Sequence, residues 1–69
     1  MTPLTVHLRP QRLDRGWTQE ELARRSGVDQ STISRIENGL TRGVGLGIVE
    51  RLADALDLNP RSLLISADQ

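Results

Sequence analysis

The chain lacks cysteine and lysine altogether, and Trp17 is its single aromatic residue. Without thiols it can form neither disulfide bridges nor thiolate zinc sites, which fits a reducing cytoplasmic environment. The longest unbroken apolar run, residues 63–65, is too short for a membrane span or for the apolar core of a signal peptide. We therefore expect a cytoplasmic protein that makes no membrane contact and whose core is aliphatic.

The small size restricts the functions open to the chain. Its 69 residues predict one domain, residues 1–69, and a chain this short buries only about 60% of the surface that it exposes when unfolded. Such a core leaves no room for a substrate pocket, and the sequence offers no nucleophile beside a base and no cluster of metal ligands. The only histidine, His7, is predicted to face solvent. We therefore expect neither an enzyme nor a site for a cofactor or metal ion.

The charges balance overall but are unevenly placed along the chain. The formal net charge is zero. Residues 1–44 contain seven arginines and five acids, whereas residues 45–69 contain two arginines and four acids. A mildly basic N-terminal part can approach nucleic acid, but a neutral chain should have only modest non-specific affinity for it.

Boundary signals predict two short helices in the first third of the chain. Pro10 suits the first turn of a helix, and Gly16 ends the segment that begins there. Thr18 and Glu21 then have the spacing of a capping box, in which Thr18 accepts from a backbone amide and Glu21 reaches back to the start of the helix. We expect the second helix at about residues 18–25.

A third helix is predicted directly after a tight turn. Asp29 has a side chain suited to capping its first turn, and Asn38 with Gly39 closes it. Gly27 suits the left-handed backbone conformation that a short connection between two helices requires.

The rest of the chain supplies two more helices and a strand partner. A fourth helix is predicted from an apolar stripe at helical spacing, made of Leu46, Val49, Leu52, Ala53 and Leu56. Asn59 and Pro60 open a final short helix that runs through Leu64. Residues 4–8 alternate apolar and polar side chains as a short strand does, and we expect them to pair with an extended segment at residues 63–66.

The segment 18–39, TQEELARRSGVDQSTISRIENG, resembles the helix-turn-helix of the phage-repressor and Cro-like (XRE-type) DNA-binding domains. The likeness covers residues 8–65 and depends on six features at matching spacing: Gln19, Ala23, Gly27, Ile33, Ile36 and the ending Glu37-Asn38-Gly39. It implies an all-α fold, a compact five-helix lambda-repressor-like helix-turn-helix domain, with room for short paired terminal strands. The glycine-rich segment 43–47 departs from the family pattern and predicts a loop and a weak helix start.

The third helix is amphipathic in a way that suits a DNA surface. At about 100° per residue, Ile33 and Ile36 fall on one side and the polar residues on the other. Arginine suits guanine, glutamine or asparagine suits adenine, and serine suits either base. By resemblance, the base-contacting positions are Gln30, Ser31, Ser34 and Arg35. An ordinary solvated helix face is the alternative interpretation.

Other roles follow from the resemblance alone. The positions that match phosphate contacts are Gln19, Thr32, Asn38, Arg42 and Gly43. For Gln19 the alternative is an ordinary polar residue in the first turn of the helix, and for Arg42 it is a solvated loop charge. Arg12 matches an arginine that pairs with Glu37, whose calculated angle already points it toward the buried side; this pair is expected to be structural.

Two functions from different classes remain open. The first is a sequence-specific DNA-binding transcriptional regulator, expected to be a repressor that binds an inverted repeat in double-stranded DNA as a homodimer. Its partner surface is predicted among Leu40, Val44, Leu46, Leu58 and the C-terminal tail. The second is an interaction module, such as an antitoxin or adaptor, that uses the same fold to bind a toxin or co-regulator. The outward polar face of the third helix favours the first function.

Overall fold

The computed structural model describes residues 4–41 and 43–66. The elements in chain order are β1 (Leu4–Val6), α1 (Arg9–Asp14), α2 (Gln19–Ser26), α3 (Gln30–Glu37), α4 (Leu46–Ala55), α5 (Pro60–Leu63) and β2 (Leu64–Ser66). The predicted fold of five helices with short paired terminal strands is confirmed. Where the end of a helix was predicted, it agrees with the structure to within one residue.

The two strands join the ends of the described chain. β1 and β2 are antiparallel, with Thr5 opposite Ile65 at the centre of the ribbon. The backbone N–H of His7 also donates to Leu63 O at 2.6 Å. The predicted strand was two residues too long, because Leu8 turns into the core and its backbone precedes α1. His7 faces solvent as predicted, just after the strand.

The start of α2 confirms half of the predicted capping box. The hydroxyl of Thr18 accepts from the backbone N–H of Glu21 at 3.0 Å. The carboxylate of Glu21 does not reach back, and instead forms ion pairs with Arg24 and Arg25. Two cations on the same helix face attract a carboxylate more strongly than a neutral backbone amide does, which is why this half of the prediction was wrong.

The core is aliphatic, as the composition predicts. Its buried members are Leu8, Leu22, Val28, Ile33, Ile36, Val49, Leu52, Ala53, Leu56 and Leu63. One residue of the predicted α4 stripe is misplaced, because the side chain of Leu46 is 62% exposed. Leu46 is the first residue of α4, so its side chain leans beyond the helix end, away from the core. Ile48 packs against the core in its place.

The turn between α2 and α3 fixes how α3 is presented. Gly27 adopts φ 73°, and its N–H donates to Ala23 O at 2.9 Å. Residues other than glycine rarely adopt this conformation, so the tight turn depends on Gly27. Val28 is buried in the core directly after it. The turn and this anchor hold α3 with one face against the core and the other in solvent.

No helix in the described part of the chain has the length and apolar character needed to cross a membrane.

Candidate nucleic-acid interface

The outward face of α3 is polar along its whole length. Ile33 and Ile36 are buried on its inner side. Gln30, Ser31 and Arg35 are exposed on the outer side, as is the C-cap residue Asn38, while Thr32 and Ser34 are half-buried at the flanks. This arrangement agrees with the angles expected for a regular helix. A convex helix face with an arginine, two amides and hydroxyls can donate to and accept from base edges in a major groove.

The leading end of α3 differs from the prediction. Asp29 occupies the N-cap position, but its side chain makes no capping hydrogen bond. Its carboxylate accepts the hydroxyl of Ser31 instead. A hydroxyl is a better donor than an amide to a nearby carboxylate, so Ser31 competes with the helix for Asp29. Because the Ser31 proton is engaged, the oxygen of Ser31 is left as an acceptor toward an incoming group.

Three of the predicted phosphate contacts follow the C-terminal end of α3. Asn38 is the exposed C-cap residue, and its backbone N–H donates to Ser34 O at 3.0 Å. Gly43 is exposed with φ 83°. The predicted contact at Arg42 lies outside the described residues. Asn38 and Gly43 are therefore both accessible to solvent, Asn38 at the C-terminal end of α3 and Gly43 in the segment that follows the helix.

Glu37 lies at the centre of a buried ion-pair cluster. Arg12 Nε donates to Glu37 Oε2 at 2.6 Å, and Arg12 Nη2 donates to Glu37 Oε1 at 2.8 Å. The Glu37 side chain is 0% exposed and that of Arg12 is 10% exposed. Arg12 Nη1 also donates to Trp17 O at 2.7 Å. This bidentate pair fastens the end of α3 to α1 and to the loop that precedes α2.

Two further donors reach the same carboxylate. Gln19 Nε2 and Arg9 Nε each donate to Glu37 Oε1 at 3.1 Å. Gln19, the first residue of α2, was predicted to contact a phosphate. Its hydrogen bond to Glu37 is a structural role that the sequence did not predict. Arg9 was also missed, although it lies one helical turn before Arg12 and therefore on the same face of α1. That spacing was the available signal.

The cluster shifts the titration of its members. Burial raises the pKa of the Glu37 carboxyl, but hydrogen bonds from Arg12, Gln19 and Arg9 outweigh burial and lower this pKa from 4.5 to about 2. The hydrogen bond to Glu37 in turn raises the pKa of Arg12. Both partners are therefore charged across the whole physiological range.

We expect Glu37 to make the fold sensitive to acid. Because its pKa is lower in the folded chain, the carboxyl stabilises the fold fully above about pH 4.5 and progressively less as the pH falls toward 2. The free energy of unfolding, measured by urea titration at neutral pH and at about pH 3, should fall more in the wild type than in Glu37→Gln. Equal decreases in the two proteins would assign the acid sensitivity to other carboxyls.

A second cluster lies along α2, with Trp17 just before the helix and Arg25 in its last turn. The guanidinium of Arg25 stacks over the ring of Trp17, 4.4 Å from the ring centroid. Arg25 also pairs with Glu21, so the cation is held from two sides. The contact places the only aromatic ring of the chain beside α2, where its fluorescence can report on local structure.

A family model described as helix-turn-helix matches residues 8–63 of the chain. A hypothetical transcription factor from Neisseria meningitidis serogroup B is 36% identical over 62 residues, a match that covers 90% of this chain and 58% of that protein. This chain therefore spans less than two thirds of the length of that relative.

Two solved structures share the fold. The restriction-modification controller protein C.AhdI from Aeromonas hydrophila has a TM-score of 0.76 and 44% identity, and the match covers 83% of this chain and 85% of that one. A chain of the SinR protein/SinI protein complex has a TM-score of 0.75 and 28% identity, with 81% and 54% covered. Because the family model matches most of this chain, the chain belongs to the helix-turn-helix family of DNA-binding domains, of the phage-repressor and Cro-like (XRE) type.

Proposed function

We propose that this chain is a sequence-specific DNA-binding transcriptional regulator that inserts α3 into the major groove. The observation that supports this most is the exposed polar face of α3, opposite Ile33 and Ile36 in the core. An amphipathic helix held against a second helix by a glycine turn is the arrangement that presents a recognition helix to DNA. The Neisseria relative is itself described as a hypothetical transcription factor, and C.AhdI as a restriction-modification controller protein.

The base contacts are proposed for Gln30, Ser31, Ser34 and Arg35. Arg35 is exposed and suits the two acceptors of guanine, while the Gln30 amide suits adenine. Because the proton of Ser31 is donated to Asp29, Ser31 should accept from a base donor, which is the amino group of adenine or of cytosine. Ser34 is half-buried and has less reach.

The backbone contacts are proposed for Gln19, Thr32, Asn38, Arg42 and Gly43. Gln19 donates one amide hydrogen to Glu37, and its second hydrogen remains for a phosphate oxygen. Glu37 thereby positions Gln19 at the first turn of α2. Contacts of this type set the position of α3 on the duplex without reading sequence.

We further propose that residues 1–69 act as one domain that forms a homodimer and represses by covering a promoter. Leu40 and Leu46, 58% and 62% exposed, are the apolar side chains that support a partner surface. Val44 and Leu58 pack partly against the core and therefore expose less apolar surface to a partner. A two-fold axis through this surface would set two α3 helices about 34–36 Å apart, one turn of DNA.

Selection from random duplexes, followed by footprinting and sedimentation of the complex, tests the function. We expect enrichment of an inverted repeat that binds two protomers. Replacing Leu40 and Leu46 together by serine should weaken the dimer, while Leu13→Ser, at another exposed leucine in α1, should leave it intact. One protomer on a site without inverted symmetry would refute the dimer. No enrichment of any duplex would refute DNA recognition and favour the interaction module.

A further inference from the structure

Among the described residues, Arg9 has one carboxylate within ion-pair distance, Glu37, which is already paired with Arg12. The Glu37 cluster contains two arginines and one carboxylate. Arg12 uses Nε, Nη1 and Nη2 within the protein and is buried, so its charge is compensated by Glu37. Among the described residues, Arg9 bonds to the cluster through Nε, and its side chain is 49% exposed. Since Arg9 and Arg12 share one carboxylate, the cluster carries a net positive charge, and the half-exposed guanidinium of Arg9 is the part of it that reaches solvent.

The position of this charge is fixed by its neighbours. Glu37 is the last residue of α3 and Gln19 the first residue of α2. Arg9 and Gln19 donate to the same oxygen of Glu37. The guanidinium of Arg9 therefore lies beside the first turn of α2 and the end of α3.

We propose that Arg9 binds a phosphate of the DNA backbone through its Nη groups while Glu37 holds its Nε. A guanidinium that is oriented by one carboxylate loses little freedom when it pairs with a phosphate, and its planar donor edge fits two phosphate oxygens. The inference rests on the proposed function, since it assumes that α3 enters the groove. It adds a backbone contact from α1, the helix in which the sequence predicted only the structural role of Arg12.

An alternative role for Arg9 is to stabilise Glu37. A half-exposed ion pair contributes little to stability in general, because water and salt screen it. Glu37 also keeps both hydrogen bonds from Arg12 when Arg9 is replaced. The structural role therefore predicts a small change in melting temperature and no change in how salt affects DNA binding.

The test compares Arg9→Gln, Arg9→Lys and the control Arg51→Gln by fluorescence anisotropy across a salt series. Arg51 is an exposed arginine on α4, so its replacement changes the net charge equally. The duplexes are the selected site and a random sequence of the same length. For Arg9→Gln we expect the slope of log K against log salt to shrink by about one per bound protomer, and binding to weaken roughly eightfold per protomer at about 0.1 M salt on both duplexes.

Arg9→Lys should retain most of the wild-type slope of log K against log salt, because lysine keeps the positive charge. Arg51→Gln should retain the whole slope. A wild-type slope in Arg9→Gln, or an equal loss in Arg51→Gln, would overturn the role of Arg9 while leaving the proposed function intact. A lower melting temperature with an unchanged slope would assign Arg9 to the structure alone. Failure of the wild type to bind either duplex would instead refute the proposed function, and the inference with it.

Discussion

Glu37→Ala should lower the free energy of unfolding by about 3–5 kcal/mol, because it leaves the guanidinium of Arg12 buried without its carboxylate. A small domain has a narrow margin of stability, so a loss of this size should unfold much of the protein at 37 °C, a temperature at which we expect the wild type to remain folded. Urea titration with circular dichroism measures the effect. Arg9→Ala is the matched control, since Arg9 bonds to the same carboxylate but is half-exposed, and we expect it to cost less than about 1 kcal/mol.

A double-mutant cycle shows whether the pair acts as a unit. Arg12→Ala should be similarly costly, because it removes both hydrogen bonds from Arg12 to the buried Glu37 carboxylate. The double variant should lose less than the sum of the two single losses, since no buried unpaired charge remains in it. Strictly additive losses would show that the two side chains do not stabilise each other.

Arg35→Ala should weaken binding to the selected duplex by about 1–3 kcal/mol and reduce discrimination at the base pair that Arg35 contacts. Arg35 is exposed on α3 and makes no ion pair among the described residues, so its loss should leave folding unchanged. Competition titrations against single-base variants of the site measure the discrimination. Arg51→Ala removes the same charge from α4 and should leave discrimination unchanged.

The loss must depend on sequence for this role to hold. If Arg35→Ala lowers the affinity for specific and random duplexes equally, Arg35 contacts the DNA backbone rather than a base. In that case the specificity would have to come from Gln30 and the serines of α3. The outcome therefore decides whether Arg35 contacts a base or the DNA backbone.

Most of the fold could be predicted from the sequence, because its signals are local. Thr18 before α2, Gly27 in the turn and Pro60 at the start of α5 act within one turn of their own positions. The spacing of Ile33 and Ile36 was enough to assign the two faces of α3. The prediction failed at Glu21 and Asp29, where several donors compete for one carboxylate. Which donor binds depends on which side chain can reach the carboxylate in the folded helix.

The sequence by itself determined the order of the helices and the polar face of α3, since periodicity and turn residues specify these within short stretches of chain, and its resemblance to the XRE-type domains indicated the family. Only the tertiary structure decided that Arg9 and Gln19 join the predicted Arg12–Glu37 pair at the Glu37 carboxylate. Arg9, Arg12 and Gln19 approach Glu37 from 28, 25 and 18 positions away. Their meeting depends on how α1, α2 and α3 pack, which local pattern does not encode. The same packing excludes water from Glu37 and leaves Arg9 facing solvent, and so separates the buried structural charge from the one available to DNA.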